Sequence, residues 1–231
     1  MAPELNGQMI DGSRIYREGE SMYQLYLPKY AGVNPETGEA QWALLEPNKD
    51  GNTVTTSYAE ASENRFKTGD ILPKVYGGFG TSLTAYGFDL SVAFAYQLGG
   101  RIMDYTYGQL MSVDAKGSAW HVDMLNAWTK DNKNTDIPRM NVQDQYTGRL
   151  IQDRWLTSSN YLSLQNITFG YTLPKSWTNK LKIEGIRLFF VTDNVALWTA
   201  RKGMDPRQSY TDADNVYSPI RTISGGISLN L

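Results

Sequence analysis

The chain has 231 residues with 22 basic and 24 acidic side chains, and its net charge of −2 gives no general electrostatic reason to bind nucleic acid. It contains no cysteine and a single histidine, His121, so disulfides, thiolate chemistry and a multi-histidine metal site within the chain are excluded. Aromatic residues make up 12% of the chain and glycines number 21, a composition that favours an all-β protein.

The first third of the chain predicts short strands followed by a polar connection. The start, "MAPELNGQMI", has neither the positive nor the apolar segment of a secretory signal, which indicates a cytoplasmic protein or a piece of something longer. The stretch "SRIYREGESMYQLYLPKYAGV" predicts one or two strands. Residues about 33–73 are polar, and the turn signals "NPETGE" and "EPNKDGN" predict a long loop there.

Two long alternating segments follow. In "FDLSVAFAYQLGGRI", Phe88 to Ile102, the large apolar residues fall on even positions from Phe88 to Leu98. The preceding "KVYGGFGTSLTAY" alternates in the same way, and only Gly87 separates the two, which predicts a tight hairpin. Strands of soluble proteins usually have about five or six residues, whereas a tilted strand that crosses a bilayer needs about nine to eleven. The length therefore favours a membrane protein.

The next region, residues about 104–152, is predicted to be a second long connection. It contains a possible short helix, "SAWHVDMLNAWTKD", with Ser118 as its candidate N-cap. No segment of the chain approaches the roughly 18 consecutive apolar residues of a membrane-spanning helix.

The last third predicts three more strands. "NYLSLQNITFGYTLP" alternates clearly in its second half, while "IRLFFVTDNVALW" alternates less cleanly because Phe189 and Val191 share a face with Arg187 and Asp193. Residues about 201–218 form a loop, and "RTISGGISLNL" is a final strand with one apolar and one small polar face.

These elements predict about seven or eight antiparallel strands, with short turns at one side and long loops at the other, as in outer-membrane barrels. That number is barely enough for the smallest closed barrel, so we expect part of a larger one. The alternative is a soluble all-β carbohydrate-binding module, in which the apolar face from Phe88 to Leu98 packs against a second sheet. Solubility without detergent distinguishes the two.

The stretch from Arg154 onward resembles the C-terminal part of the SusC/RagA family of TonB-dependent outer-membrane transporters. The residues that carry the resemblance are "RWLTSSNYLSLQNITFGYTLPKSW", "IRLFFVTDNVALWTARKGMDP" and the terminal strand. The upstream blocks "GESMYQLYLPKYAGVNPETGEAQW", "PKVYGGFGTSLTAYGFDLSVAFAYQLGG" and "HVDMLNAWTKDNKNTDIPRM" also resemble the family, so nearly all of the chain matches it.

The resemblance implies that residues 1–231 are the C-terminal part of an antiparallel transmembrane β-barrel of about 22 strands with long extracellular loops, without its plug and N-terminal domains. It implies nutrient import, as oligosaccharides or peptides, across the cell outer membrane. The implied partners are a SusD-like surface lipoprotein, the TonB system acting through the missing N-terminal part, the remainder of the barrel and outer-membrane lipid. No enzymatic activity, cofactor or metal is implied.

The final strand also resembles a barrel-assembly signal, in which a polar residue, a glycine and two apolar residues follow one another at fixed spacing. Ser224, Gly226, Leu229 and Leu231 fit that spacing. The physical reason is that a terminal strand keeps an unpaired edge until the barrel closes, and that edge can pair with an assembly machine.

Candidate ligand-binding residues are polar side chains opposite the apolar strand faces and aromatic side chains in the loops. We expect Asp89, Gln97, Arg101 and Asp193 to face the lumen, where lining the wall and hydrogen bonding to the plug is the simpler role. Trp120 and Trp128 could stack on sugar rings, although packing in an aromatic girdle or in the core of the loops is the simpler interpretation. His121 with Asp123 could act in acid–base chemistry, but a polar pair on a loop helix is the simpler interpretation. No phosphate-binding loop or nucleophile elbow is present, which disfavours a hydrolase.

Overall fold

The computed structural model of the protein describes residues 7–113, 119–141, 151–208 and 219–230. It divides into two compact units. The loop unit comprises Met1–Leu72 and Arg101–Thr157, and the sheet unit comprises Pro73–Gly100 and Ser158–Leu231.

The structure is dominated by strands. In chain order they are β1 (Gln8–Asp11), β2 (Arg14–Arg17), β3 (Gln24–Pro28), β4 (Tyr30–Val33), β5 (Ala40–Ala43), β6 (Val54–Thr55), β7 (Arg65–Asp70), β8 (Val75–Ala85), β9 (Phe88–Leu98), β10 (Arg101–Met103), β11 (Leu156–Ser158), β12 (Tyr161–Thr172), β13 (Gly185–Thr199) and β14 (Thr222–Asn230). The α-helices are α1 (Tyr58–Glu63), α2 (Tyr105–Leu110) and α3 (Lys175–Thr178), and 3₁₀ turns span Val122–Asn126, Asp153–Trp155, Asn179–Leu181 and Pro206–Gln208. Within the described ranges, no helix combines the length and apolar character needed to cross a membrane.

The sheet unit contains one antiparallel five-stranded sheet in the order β14-β13-β12-β9-β8. Its strands are long: β8 and β9 each have 11 residues, β12 has 12 and β13 has 15. At about 3.3 Å per residue, such strands reach across an apolar layer of roughly 25 Å even when they are strongly tilted. The expected all-β, antiparallel architecture with long strands is confirmed.

The predicted hairpin between β8 and β9 is present, and its turn has two residues rather than one. Tyr86 and Gly87 both have positive φ, at 51° and 85°. Two consecutive positive φ values are typical of a type I′ turn, whose twist matches that of the strands it joins.

A bulge explains why the alternation of the later strands changes phase. The register of β12 against both neighbours shifts between Leu164 and Asn166, and Gln165 is the extra residue. On β13 the extra residues opposite it are Asn194 and Val195, and Asn194 has a φ of 51°. An extra residue in one strand exchanges the faces to which odd-numbered and even-numbered side chains point beyond it. Both halves of β12 therefore present their apolar residues to the same side of the sheet.

The loop unit contains three small sheets, ordered β1-β2-β3-β7, β4-β5-β6 and β10-β11. Residues about 33–73, predicted as a polar loop, instead hold β5, β6, α1 and β7, so this connection is folded. The predicted helix in the second connection is reduced to the 3₁₀ turn Val122–Asn126, capped by His121, and Ser118 lies outside the described residues.

Candidate functional site: the two faces of the sheet

One face of the sheet is apolar and uncovered. Direct pairing places Phe79, Phe94, Leu90, Phe169 and Phe190 on the same side. Large side chains on this face stay exposed, for example Phe79 at 56%, Leu83 at 65% and Ile227 at 65%. Within the described part of the chain, the buried apolar residues other than Pro206 belong to the loop unit, so no opposing apolar layer covers this face in the sheet unit. An apolar surface of this extent needs an apolar medium or partner.

The opposite face is polar and internally hydrogen-bonded. Arg187 on β13 forms an ion pair with Asp89 on β9, with Nη2–Oδ2 at 2.5 Å and Nε–Oδ1 at 3.0 Å. Asn166 on β12 donates to Asp193 at 2.7 Å. The two carboxylates expected to face the lumen therefore do lie on the polar face, and each already has a partner within the sheet.

Gln97 also lies on the polar face, but its side chain is only 3% exposed. Its amide nitrogen donates to the hydroxyl of Ser159 at 3.0 Å and to the backbone carbonyl of the same residue at 3.3 Å. This geometry gives Gln97 a structural role at the end of β9, where it holds the beginning of β12 in place.

Arg101 occupies a different place from the one expected. Strand β9 ends at Leu98, and Gly99 follows with a φ of 97°, so the alternation of β9 does not extend to residue 101. Arg101 begins β10 in the loop unit, where its aliphatic carbons lie against Gly69 of β7. The alternation predicts one strand over residues 88–102, but Gly99 interrupts it.

The two candidate tryptophans differ in availability. Trp120 is 43% exposed. The ring of Trp128 lies directly against Gly38, and its Nε1–H donates to the backbone carbonyl of Pro35 at 3.1 Å. Trp128 therefore fixes the turn at residues 34–38, which leaves Trp120 as the better candidate for stacking on a ligand.

The terminal strand places the assembly-signal residues on both faces. Ser224 and Gly226 pair with Val191 and Phe189 on the polar face, whereas Leu229 pairs with Ile186 on the apolar face. Leu231 lies outside the described residues.

The loop unit holds a polar segment that the sequence argument did not identify. Gln152 is 1% exposed and accepts a hydrogen bond of 2.8 Å from the indole N–H of Trp42, and the carboxylate of Asp153 accepts one of 2.7 Å from the backbone N–H of Tyr30. The guanidinium of Arg154 lies 4.6 Å from the ring centroid of Tyr30. Residues 151–155 therefore tie distant parts of the loop unit together.

Burial changes the acidity of this region. It raises the pKa of Tyr30 to about 12, an effect opposed by the nearby positive charge of Arg154. Burial also raises the pKa of Asp153, against the stabilising hydrogen bond from the backbone of Tyr30. Both shifts follow from desolvation, which disfavours the charged forms.

His121 and Asp123 form a local cluster with Tyr107. The backbone N–H of Asp123 donates to Nδ1 of His121 at 3.2 Å, and the hydroxyl of Tyr107 donates to the carboxylate of Asp123 at 2.8 Å. These contacts cap the 3₁₀ turn at residues 122–126 and support the structural interpretation. Across the described ranges there is no cluster of three or more His, Cys, Asp or Glu that could hold a metal ion.

Comparison with curated proteins finds TonB-dependent receptors. The chain is 29% identical to TonB-dependent receptor P3 of Formosa agariphila over 94% of the chain and 23% of that receptor. It is 27% identical to TonB-dependent receptor SusC of Bacteroides thetaiotaomicron over 79% of the chain and 18% of that receptor. The chain thus spans about a quarter or less of these relatives. No family model matches the sequence.

Comparison with solved structures gives the same result. The RagAB peptide importer in its open-open state matches with a TM-score of 0.79 and 26% identity, over 96% of this chain and 24% of that one. The closed-closed state matches with a TM-score of 0.73 and 27% identity, over 87% and 22%. These relatives are receptors and importers, not enzymes. Sequence and fold agree: along most of its length the chain is similar to TonB-dependent receptors such as SusC and to the RagAB peptide importer.

Proposed function

We propose that the chain is the C-terminal part of the barrel of a SusC-like transporter, which imports peptides or oligosaccharides across the outer membrane. The observation that carries this proposal is the uncovered apolar face of the five-stranded sheet, opposite a hydrogen-bonded polar face. A strand with lipid on one side and a wet lumen on the other requires this arrangement.

The soluble-module alternative predicts the opposite burial. A sandwich covers its apolar face with a second sheet about 10 Å away. Leu90 is 38% exposed and Phe88 is 47% exposed, and the described residues provide no such second layer for the sheet unit. The transporter proposal accounts for this exposure.

The proposed partners are a SusD-like surface lipoprotein and the TonB system. The similarity to SusC supports the TonB system, since that protein is named as a TonB-dependent receptor, and the similarity to the RagAB importer supports a second protein working with the transporter. In the proposed protein, TonB acts through a part that precedes this chain.

The first test is the membrane location of the protein. We expect the full-length product in the outer-membrane fraction, extracted by detergent but not by alkaline carbonate. The chain expressed by itself should aggregate or require detergent, because it cannot close a barrel. A monodisperse monomer in plain buffer would contradict the proposal.

The second test distinguishes the substrate classes. A strain that lacks the gene is grown with peptides or with oligosaccharides as the limiting nutrient, and uptake of labelled forms of each is measured. Loss of one uptake, restored by the gene but not when TonB is absent, identifies the class. Unchanged uptake of both classes would contradict the import function while leaving the membrane location intact.

A further inference from the structure

A transverse row of directly paired residues crosses the polar face of the sheet. Asp89 on β9 pairs with Gly170 on β12, Gly170 pairs with Phe189 on β13, and Phe189 pairs with Gly226 on β14. Large side chains and glycines therefore alternate along the row. Such alternation allows the large side chains to lie flat across the neighbouring strands.

The two glycines are required by space rather than by backbone conformation. Neither has a positive φ. A Cβ on Gly170 would overlap the Asp89 carboxylate and the Arg187 guanidinium, and a Cβ on Gly226 would overlap the ring of Phe189. Each glycine therefore leaves room for a side chain of a neighbouring strand to pack directly over its backbone.

Together these contacts form what we call the transverse chain: Asp89, Arg187, Phe189 and Gly226. The ion pair between Asp89 and Arg187 passes over Gly170 and so joins β9 to β13 across the intervening strand. The guanidinium of Arg187 lies 5.5 Å from the ring centroid of Phe189, whose ring covers Gly226. The transverse chain thus connects β9 to the terminal strand.

The terminal strand needs such a connection because its own sequence specifies register weakly. A shift of two residues leaves every side chain of a strand on its original face. The polar face of β14 carries Thr222, Ser224, Gly226, Ser228 and Asn230, of which one is glycine. A shift of two residues in either direction would put Ser224 or Ser228 beneath the ring of Phe189, where a Cβ does not fit.

We propose that the transverse chain fixes the register of the terminal strand, and that Gly226 leaves the space into which the Phe189 ring packs. The glycine of the assembly-signal pattern then has a role inside the folded sheet, because the Phe189 ring of the neighbouring strand packs over it. This assignment concerns how the sheet is completed and does not depend on what the transporter carries. Phe189 and Arg187 are positioning residues in this scheme.

This chain contains no cysteine, so once any cysteines in the rest of the full-length protein are replaced, introduced pairs report the register directly. Val191→Cys with Ser224→Cys reports the native register, because these residues are paired. Val191→Cys with Thr222→Cys and Phe190→Cys with Ile227→Cys report shifts of two residues in the two directions. Disulfide formation in each pair is quantified in isolated outer membranes.

We expect Phe189→Ala and Gly226→Ala each to raise the ratio of shifted to native cross-links by roughly fivefold. Gly225→Ala is the matched control, because a Cβ on that glycine meets only the Phe189 backbone oxygen at 3.7 Å. In the Phe189→Ala background, Gly226→Ala should add nothing. An equal effect of Gly226→Ala with and without Phe189, or no difference from Gly225→Ala, would overturn the proposal.

A second measurement covers variants that fail to assemble in cells. The full-length protein is refolded into lipid vesicles without any assembly machinery. We expect Gly226→Ala to refold poorly and the double variant with Phe189→Ala to recover. Normal refolding of Gly226→Ala, combined with failure in cells, would show that the glycine is recognised by the machinery instead, and the proposal would be wrong.

Discussion

The loop unit and the sheet unit follow opposite rules of burial within one chain. In the loop unit, apolar side chains such as Ile15 at 0% and Trp42 at 1% exposure are enclosed. In the sheet unit, the residues most completely enclosed are polar, including Ser159 and Ser163 at 0%, while leucines and phenylalanines lie open. The difference teaches that burial reflects the surrounding medium: water outside the loop unit, and an apolar medium against the sheet.

The largest expected effect concerns the core of the loop unit. Trp42→Ala should destabilise that unit by about 3–5 kcal/mol, since it leaves a cavity and an unpaired Gln152. Hydrogen exchange of the full-length protein would show lost protection in β4–β6. The control change Trp120→Ala, at a residue of the same unit that is 43% exposed, should cost about 1 kcal/mol or less. Equal effects would contradict the enclosure of Trp42 in the core of the loop unit.

A charge on the apolar face of the sheet gives the next largest effect. Val92→Arg should cost about 2–4 kcal/mol of folding free energy in lipid vesicles, because the guanidinium must enter the bilayer. The control is Ser91→Arg, one residue earlier and on the polar face, which should be tolerated. Equal costs for the two variants, measured by denaturant titration, would mean that both faces meet the same medium.

The buried amide of Gln97 provides a smaller test of the sheet unit. Gln97→Leu should lower stability by about 1–3 kcal/mol and leave ligand affinity unchanged, because its hydrogen bonds go to Ser159. Ser159→Ala in the same background should add little, as expected for coupled partners. Reduced ligand affinity at full stability would instead restore Gln97 as a ligand-binding residue.

The smallest effect at neutral pH is that of Tyr30→Phe, about 1 kcal/mol for the lost hydrogen bond to the Asp136 carbonyl. At alkaline pH the difference in unfolding free energy between the wild-type protein and Tyr30→Phe becomes smaller. The pKa of Tyr30 is about 12 in the folded state and 10.0 as its ordinary value, so the unfolded chain loses this proton first and stability falls between those values. The phenylalanine variant should show a shallower fall in unfolding free energy. Identical slopes would contradict the burial of the phenol.

The long strands of the sheet unit were predictable because period-two alternation is a local property of the sequence. The bulge at Gln165 also has a local signal, since apolar residues change from even positions at Leu162 and Leu164 to odd positions at Ile167 and Phe169. Alternation alone cannot place a side chain that follows an interrupting glycine, which is why Arg101 lies elsewhere.

The loop unit was not predictable in the same way. Its core joins residues far apart in sequence, as in the contact of Trp42 with Gln152, 110 residues away. The local sequence pattern of either segment does not predict that these two residues form a hydrogen bond. Turn-rich polar segments predict loops, and the packing of those loops depends on partners that the local sequence does not name.

The hairpin turn between β8 and β9 has a consequence for how deeply the sheet sits. Its first residue is Tyr86, 99% exposed, in a conformation that normally favours asparagine or glycine. Trp177, in the connection from β12 to β13, is likewise open to solvent at the same end of the sheet. In the proposed barrel, these rings lie among the lipid headgroups at the membrane–water interface of the inner leaflet. The tyrosine at this left-handed turn position would then be retained because it anchors the hairpin in the membrane, not because it suits the turn geometry.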